Sequence, residues 1–227
     1  THCISSAASD VYKRQGDILA EVLRVQRKVP EDKVAARVIE LLELVGLRAE
    51  LAGRKPRSLS GGQCQRVGIA RALAVEPRLI IADECVAALD VSIQGQIINL
   101  LLELRERMNL ALLFITHDLT VVRRLCDRVA VMYLGRIVEE GPVQEVFDAP
   151  RHPYTAALIQ SIADIDPARR LPAQPLPGEP PSPLQLPGGC AFHPRCRHAL
   201  PACRDDAPPT HSLGARHYTC VHAEPLF

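Results

Sequence analysis

The sequence predicts an α/β fold built on a parallel sheet, followed by a small Cys-rich C-terminal appendage. Three observations predict it. Two short apolar runs, RLIIADE at 78–84 and LALLFITHD at 110–118, each end in polar residues. Continuous apolar runs of this length read as strands buried on both faces. Between them, Ser92 to Met108 places Ile93, Ile97, Leu100, Leu101 and Leu104 on one helical face, and the order strand, helix, strand is that of a parallel sheet. After Pro150 the composition changes: twelve of the nineteen prolines lie between Pro167 and Pro209, and Cys190, Cys196, Cys203 and Cys220 fall in the same stretch or just beyond it.

Taken in order, residues 1–15 (THCISSAASDVYKRQ) have no initiating methionine and no useful periodicity. They read as a non-native junction ahead of a truncated reading frame, and no element is expected from them. From Gly16 to Gly46 the pattern is helical: Ile18, Leu19, Val22 and Leu23 share one face, and Val34, Val38, Leu41, Leu42 and Val45 form a second stripe beyond Pro30. A third helix runs from the Ser-Gly-Gly turn near Leu59 to Ala74, with Val67, Ile69, Ala70 and Leu73 apolar. Ser92 is the expected N-cap of the helix at 92–108. RVAVMYLGRIVEEG (128–141) alternates around Gly135, as a hairpin would. The expected organisation is a junction at 1–15, a helical subdomain at 16–75, a core half at 76–150, and a Pro-rich linker with a Cys-rich extension at 151–227.

Bulk properties exclude some classes. With 27 basic and 26 acidic residues the net charge is +1, and no basic stripe points to nucleic acid as a partner. No apolar run approaches the roughly 18 residues of a membrane span, and the chain shows no secretory apolar region at its start. The simplest location is the cytoplasm, docked on a membrane partner. Eight cysteines in such a compartment read as free thiols or, where clustered, metal ligands.

The chemistry concentrates in three places. In SLSGGQCQRVGIARAL (58–73), Gly61 and Gly62 at a helix start allow close backbone approach, and the free N–H groups and helix dipole favour an anion. Ser60 adds a hydroxyl donor. A Gly-Gly turn before a helix is common on its own. LIIADE delivers Asp83 and Glu84 at the carboxyl end of a strand; one carboxylate at a strand end is common, two in succession less so. FITHD puts His117 at the end of the second strand; a lone histidine there is usually structural.

Together, in this order between 58 and 118, these motifs resemble those of ABC-type ATPases. The resemblance implies a partial P-loop NTPase-like ABC cassette, ATP and Mg²⁺. It implies that Ser60, Gly61, Gly62 and Gln63 form the signature loop gripping the γ-phosphate of ATP bound by the opposite subunit. It gives Asp83 to Mg²⁺, Glu84 to the attacking water, and His117 to the γ-phosphate as the switch histidine. Ala88-Leu89-Asp90 matches the D-loop, so Asp90 contacts the partner subunit. Cys64 stands where the family more often has arginine, and Cys85-Val86-Ala87 replace a proline, a threonine and often a serine. No G-x-x-x-x-G-K-[ST] occurs; GRKPRS at 53–58 has the wrong spacing and a proline. The backbone nest and lysine that hold the β- and γ-phosphates are therefore missing, and this chain alone is expected to be an inactive fragment of an ATPase.

GRIVEEGPVQEVFDAPRHPYTAALIQSI, LPGEPPSP, GCAFHPRC and ADECVAALDVSIQGQIINLL resemble the ATP-binding subunits of bacterial dipeptide and oligopeptide importers, particularly the second of the paired ATPases. This implies ATP-driven peptide import from the cytoplasmic face of the inner membrane. The implied partners are a second ABC ATPase subunit, membrane permease subunits and, indirectly, a periplasmic or lipoprotein peptide-binding protein. Nickel importers share much of the pattern. A soluble ABC ATPase of repair or translation and a metal-binding interaction module are the other readings.

Cys190, Cys196, Cys203 and Cys220 have five, six and sixteen intervening residues, unlike the C-x₂-C of common zinc fingers. Cys-rich tails of this importer group resemble iron–sulfur binding segments, and four thiolates are the usual complement of a [4Fe–4S] cluster. His193, His211 and His217 keep zinc open, and unliganded thiols in a loose tail are the remaining alternative.

Overall fold

Apolar spacing sets the first elements. In the computed structural model, α1 (Gln15–Gln26) buries Ile18, Leu19 and Leu23, and α2 (Glu31–Leu44) buries Val34, Val38, Leu41 and Leu42. The two pack together, and α3 (Gly61–Leu73) packs on both. Pro30 caps α2 with extended backbone, and Glu31 and Asp32 put negative charge at its positive end. The structure describes residues 2–4, 13–26, 29–87, 89–162 and 176–223. Most of the expected junction, Ala88 of the D-loop and residues 163–175 of the linker lie outside the described residues.

The chain divides into two units, Thr1–His117 and Asp118–Phe227. In the first, β1 (His2–Ile4), β2 (Leu79–Asp83) and β3 (Ala111–Ile115) form a parallel sheet in the order β1-β2-β3. Register runs from Leu79 opposite Ala111 to Asp83 opposite Ile115. The crossover from β2 to β3 is α4 (Val91–Met108), as the strand–helix–strand order predicts. The stretch 1–15, from which no element is expected, supplies β1 on the open side of β2 and the first residue of α1, Gln15, which is buried.

Two details differ from the sequence reading. The N-cap of α4 is Asp90, in extended conformation, so Ser92 lies inside the first turn. Along β3, Leu113 and Ile115 are 49% and 45% exposed, not buried on both faces. The run is apolar on both sides as a doubly covered strand requires, but among the described residues only one face of β3 is covered.

The second unit holds α5 (Leu119–Leu125), β4 (Arg128–Tyr133), β5 (Arg136–Pro142), α6 (Val143–Asp148), α7 (Pro153–Gln160), α8 (Ala202–Asp205), β6 (Thr210–Leu213) and β7 (Arg216–Thr219). The predicted hairpin forms around Leu134 and Gly135, both at positive φ, the turn geometry that suits the twist of two-residue hairpins. The expected division at 150/151 does not match the contacts, which divide the chain after His117. The reason is a single antiparallel sheet, β4-β5-β7-β6, that joins the hairpin to the Cys-rich segment. Glu139 pairs with Tyr218 and Glu140 with His217 across it. The segment is also not short of apolar material: Phe192, from the Cys-rich stretch, is 2% exposed and packs with Val131, Tyr133 and Val138. Among the described residues no helix is long and apolar enough to cross a membrane.

Candidate functional site

The signature-like loop is a helix N-terminus with its first turn fastened. Ser60 is the N-cap of α3; its Oγ accepts the Gln63 N–H at 3.3 Å, and the Ser60 N–H donates to Gln63 Oε1 at 3.0 Å. This reciprocal capping box uses two of the donors that a helix start leaves open. The N–H groups of Gly61 and Gly62 remain, since the first turn offers them no intrahelical acceptor. Sequence reasoning assigned the glycines to anion approach. The structure adds a packing reason: a Cβ on Gly62 would lie 2.7 Å from Ile93 Cγ2, and one on Gly61 3.1 Å from Leu89 Cδ2. The loop therefore sits against Leu89, of the expected D-loop, and the start of α4. Asp90 is exposed. Cys64, part-buried, makes a weak thiol contact with the Pro56 carbonyl at 3.7 Å.

The carboxylates follow from β2. Its alternation buries Ile80 and Ala82 and leaves Asp83 exposed at the carboxyl end. Glu84 follows at φ +44°, a conformation rare outside glycine. It is held there because its N–H donates to the Ile115 carbonyl of β3 at 2.9 Å and its carbonyl accepts the Ala87 N–H at 3.1 Å. Backbone strain of this kind clusters at functional sites. The Glu84 carboxylate meets His117 Nδ1 at 3.3 Å, with the two side chains 59% and 76% exposed. Residues 33 apart in sequence are thus brought together because β2 and β3 are parallel neighbours. Cys85 and Val86 are buried beneath this turn, and burial pushes the Cys85 thiol up to about 11. Of the three substituted positions, Cys85 and Val86 therefore contribute packing, while Ala87 is exposed.

The second unit contains a different kind of site. Cys190, Cys196, Cys203 and Cys220 all line one small cavity, together with His152 and Phe192. All four are free thiols. Burial raises the thiols of Cys190 and Cys220, and takes Cys196 up to about 11. The segments meet through a backbone bond from the Cys190 N–H to the Cys203 carbonyl at 2.9 Å. Gly189 makes this approach feasible: at φ +59°, a Cβ there would lie 2.4 Å from the Cys203 carbonyl oxygen. Among the described residues, no group of three or more His, Cys, Asp or Glu is arranged to hold a metal ion. Of the histidines named with the cysteines, His193 faces this cavity; His211 instead bonds the Cys220 carbonyl and stacks on Tyr218, and His217 bonds Ser212.

What sequence reasoning missed is the frame around this cavity. Glu139 is fully buried and ion-paired with Arg216, itself 2% exposed. The Glu139 carboxylate also accepts the N–H groups of Arg151, at 3.0 Å, and His152, at 2.9 Å. Arg216 donates further to the Glu145 carbonyl at 3.0 Å and to that of Ala149. This network ties β5, β7 and the turn before α7 into one piece. His152 is buried, and its pKa is pushed down to about 4 by loss of solvent.

Known proteins resemble both halves. A family model described as "ABC transporter" matches residues 5–87, and one described as "Oligopeptide/dipeptide transporter, C-terminal region" matches 138–203. The di/tripeptide transport ATP-binding protein DppF of Pseudomonas aeruginosa is 43% identical over 218 residues, covering 96% of this chain and 68% of that protein. The oligopeptide transport ATP-binding protein OppF of Salmonella typhimurium is 48% identical over 214 residues, covering 93% of this chain and 64% of that one. Among solved structures, the ATP-binding cassette MJ0796, a post-hydrolysis dimer bound to ADP and Pi, aligns with a TM-score of 0.55 at 29% identity, covering 62% of each chain. The chain spans between about half and two thirds of the length of several curated relatives that it matches. With a 43% identical relative matched over most of both chains, in addition to the two family models, the chain belongs to the ATP-binding proteins of the oligopeptide/dipeptide group of ABC transporters.

Proposed function

We propose that this chain is part of the ATP-hydrolysing subunit of a peptide importer. The observation that carries the reading is the Glu84–His117 pair at the carboxyl ends of two parallel strands, with Asp83 beside it. Glu84 orients a water and accepts its proton as the water oxygen bonds the γ-phosphorus of ATP; the bond from that phosphorus to the β–γ bridging oxygen breaks, and ADP leaves with the electron pair. His117 holds the Glu84 carboxylate and reaches toward the γ-phosphate. Asp83 is the residue to hold Mg²⁺, which when bound offsets charge on the phosphates. Gly61 and Gly62 present their N–H groups, with Ser60 and Gln63 shaping the turn, to ATP on a second ATPase subunit, and Asp90 faces that subunit. This geometry gives a composite site whose residues are exposed until two subunits close on nucleotide.

Peptide as the cargo is supported by the names of the relatives; permease subunits as partners and the cytoplasmic face of the inner membrane as the location are part of the same proposal. The test is the complete subunit co-purified with its permease subunits in membrane vesicles. ATP turnover that rises with a peptide-loaded binding protein supports the reading, and turnover that rises only with nickel transfers the chain to the metal importers.

We also propose that Cys190, Cys196, Cys203 and Cys220 hold one metal centre, a [4Fe–4S] cluster in preference to zinc. The support is that all four thiols face one cavity. Four thiolates are the usual complement of a [4Fe–4S] cluster, although among the described residues no group of three or more His, Cys, Asp or Glu is arranged to hold a metal ion. Once bound, it crosslinks four segments of the tail. Anaerobic purification with metal analysis decides: about four irons per chain, lost in Cys196→Ser, is the expected result, and stoichiometric zinc gives the alternative.

A further inference from the structure

Among the described residues, Gln65 Nε2, Tyr133 Oη, Arg151 Nε and Thr155 Oγ1 are buried side-chain atoms with no hydrogen-bond partner in the protein. Leaving such a group unpaired is costly, and native structures pair nearly all of them, with protein or with ordered water. Of these residues, Tyr133 also lines a cavity in the second unit. It shares that wall with Arg136, Val138 and Thr219, and with Gly189 and Cys190 of the Cys-rich segment.

The phenol is held in place. Tyr133 ends β4 and is 5% exposed. Its ring lies 4.7 Å from that of Tyr154 and 5.2 Å from that of Phe192, and packing this close keeps it from swinging to solvent. Arg136 is its partner across the β4–β5 hairpin. Directly opposed residues share a face, which brings the Arg136 side chain to the same cavity. Thr219 donates its hydroxyl proton to the Val138 carbonyl at 3.3 Å, and its oxygen keeps lone pairs to accept with. The wall therefore offers a phenol that donates, a hydroxyl oxygen that accepts and a guanidinium that donates.

Size decides what fits between them. The cavity has about 30 Å³ of room for water-sized molecules, and one water needs on the order of 10–15 Å³. The cavity of the four thiols, at about 10 Å³, lies at the lower edge of that requirement. An internal water typically makes about three hydrogen bonds to buried polar groups. We infer that the cavity beside Tyr133 is a water-binding site. The water oxygen accepts the Tyr133 O–H and an Arg136 N–H, and the water donates to Thr219 Oγ1. It thereby links the hairpin to β7 by a polar bridge, beside the apolar packing of Phe192. The assignment holds whether or not the four thiols take a metal.

The test is Y133F in the full chain, which keeps the ring between Tyr154 and Phe192 and removes only the hydroxyl. A high-resolution crystal structure of the wild type is expected to show an ordered water about 2.7–2.8 Å from Tyr133 Oη, and that of Y133F to lack it. The melting temperature gives an independent sign. A hydroxyl bonded to water is lost at a cost, so Y133F is expected to melt a few degrees lower. A buried hydroxyl with no partner is better removed, and Y133F would then melt at the same temperature or higher. A wild-type cavity without a water overturns the inference, as does a water that keeps its place in Y133F or a Y133F at least as stable as wild type. Should Y133F not fold, the wild-type crystal decides alone.

Discussion

The two units of this chain build their sites in opposite ways. In the first, the residues proposed to carry chemistry are exposed: Glu84 and His117 meet at 3.3 Å on a surface where both are more than half accessible. In the second, the thiols, His152, Glu139 and Arg216 are enclosed, and a buried ion pair joins segments 77 residues apart. An exposed set of groups suits a site completed by other surfaces. An enclosed set suits a site that one unit completes by itself. The cost of mutation follows the same division, because charge buried without its partner is far more damaging than charge lost at a surface.

The largest effect is therefore expected in the second unit. Arg216→Met leaves the Glu139 carboxylate buried with only backbone donors, and breaking such a pair costs about 3–5 kcal/mol. Urea unfolding should show the second unit losing stability on that scale while the first is unchanged. Adding Glu139→Gln removes the orphan charge yet keeps an oxygen for the Arg151 and His152 N–H groups, so most of the loss should return. A single variant as stable as wild type would remove the contrast between the units.

The next effect is a packing one in the first unit. Gly62→Ala gains helix propensity of up to about 1 kcal/mol. It also drives a methyl into Ile93, whose β-branched side chain has little freedom to move, and overpacking typically costs about 1–3 kcal/mol. A net loss near 1 kcal/mol is expected in thermal unfolding of the first unit, and a gain would mean that α3 and the start of α4 are not as closely packed as described. Smaller again is Ser60→Ala. It removes one half of the capping box, for about 1 kcal/mol or less at this exposed helix end, read in the same melts.

The contrast also explains what the sequence could tell. The exposed site was legible because its parts are local: a capping box within four residues, two carboxylates at the end of an apolar run, a histidine at the end of the next. The parallel order of β2 and β3, implied by the helix between them, then brings Glu84 to His117. The enclosed site was legible only as four cysteines. Alternation along RVAVMYLGRIVEEG does not forecast that Val138 and Glu139 are both buried. They are because the register slips between Val131 and Met132, leaving Val138 as the extra residue of a bulge and turning Glu139 inward. Nor does local pattern reveal that Arg216 is its partner, since β5 and β7 are joined through a long connection. The same sheet explains why the boundary expected near 150 falls elsewhere. The exposure of Leu113 and Ile115 had no counterpart in the sequence, because an apolar run records that a face is to be covered and not by what.

The central claim is that Glu84, set at the strand end by strained backbone and paired with His117, carries ATP hydrolysis in the complete subunit. The most direct measurement is phosphate release by that subunit, with its phosphate-binding loop present, in wild type and Glu84→Gln. Losing a positioned general base typically lowers turnover by about 10²- to 10⁴-fold. The account predicts a loss of this size together with ATP, unhydrolysed, retained in a stable two-subunit complex. A Glu84→Gln subunit that hydrolyses ATP at the wild-type rate would contradict it.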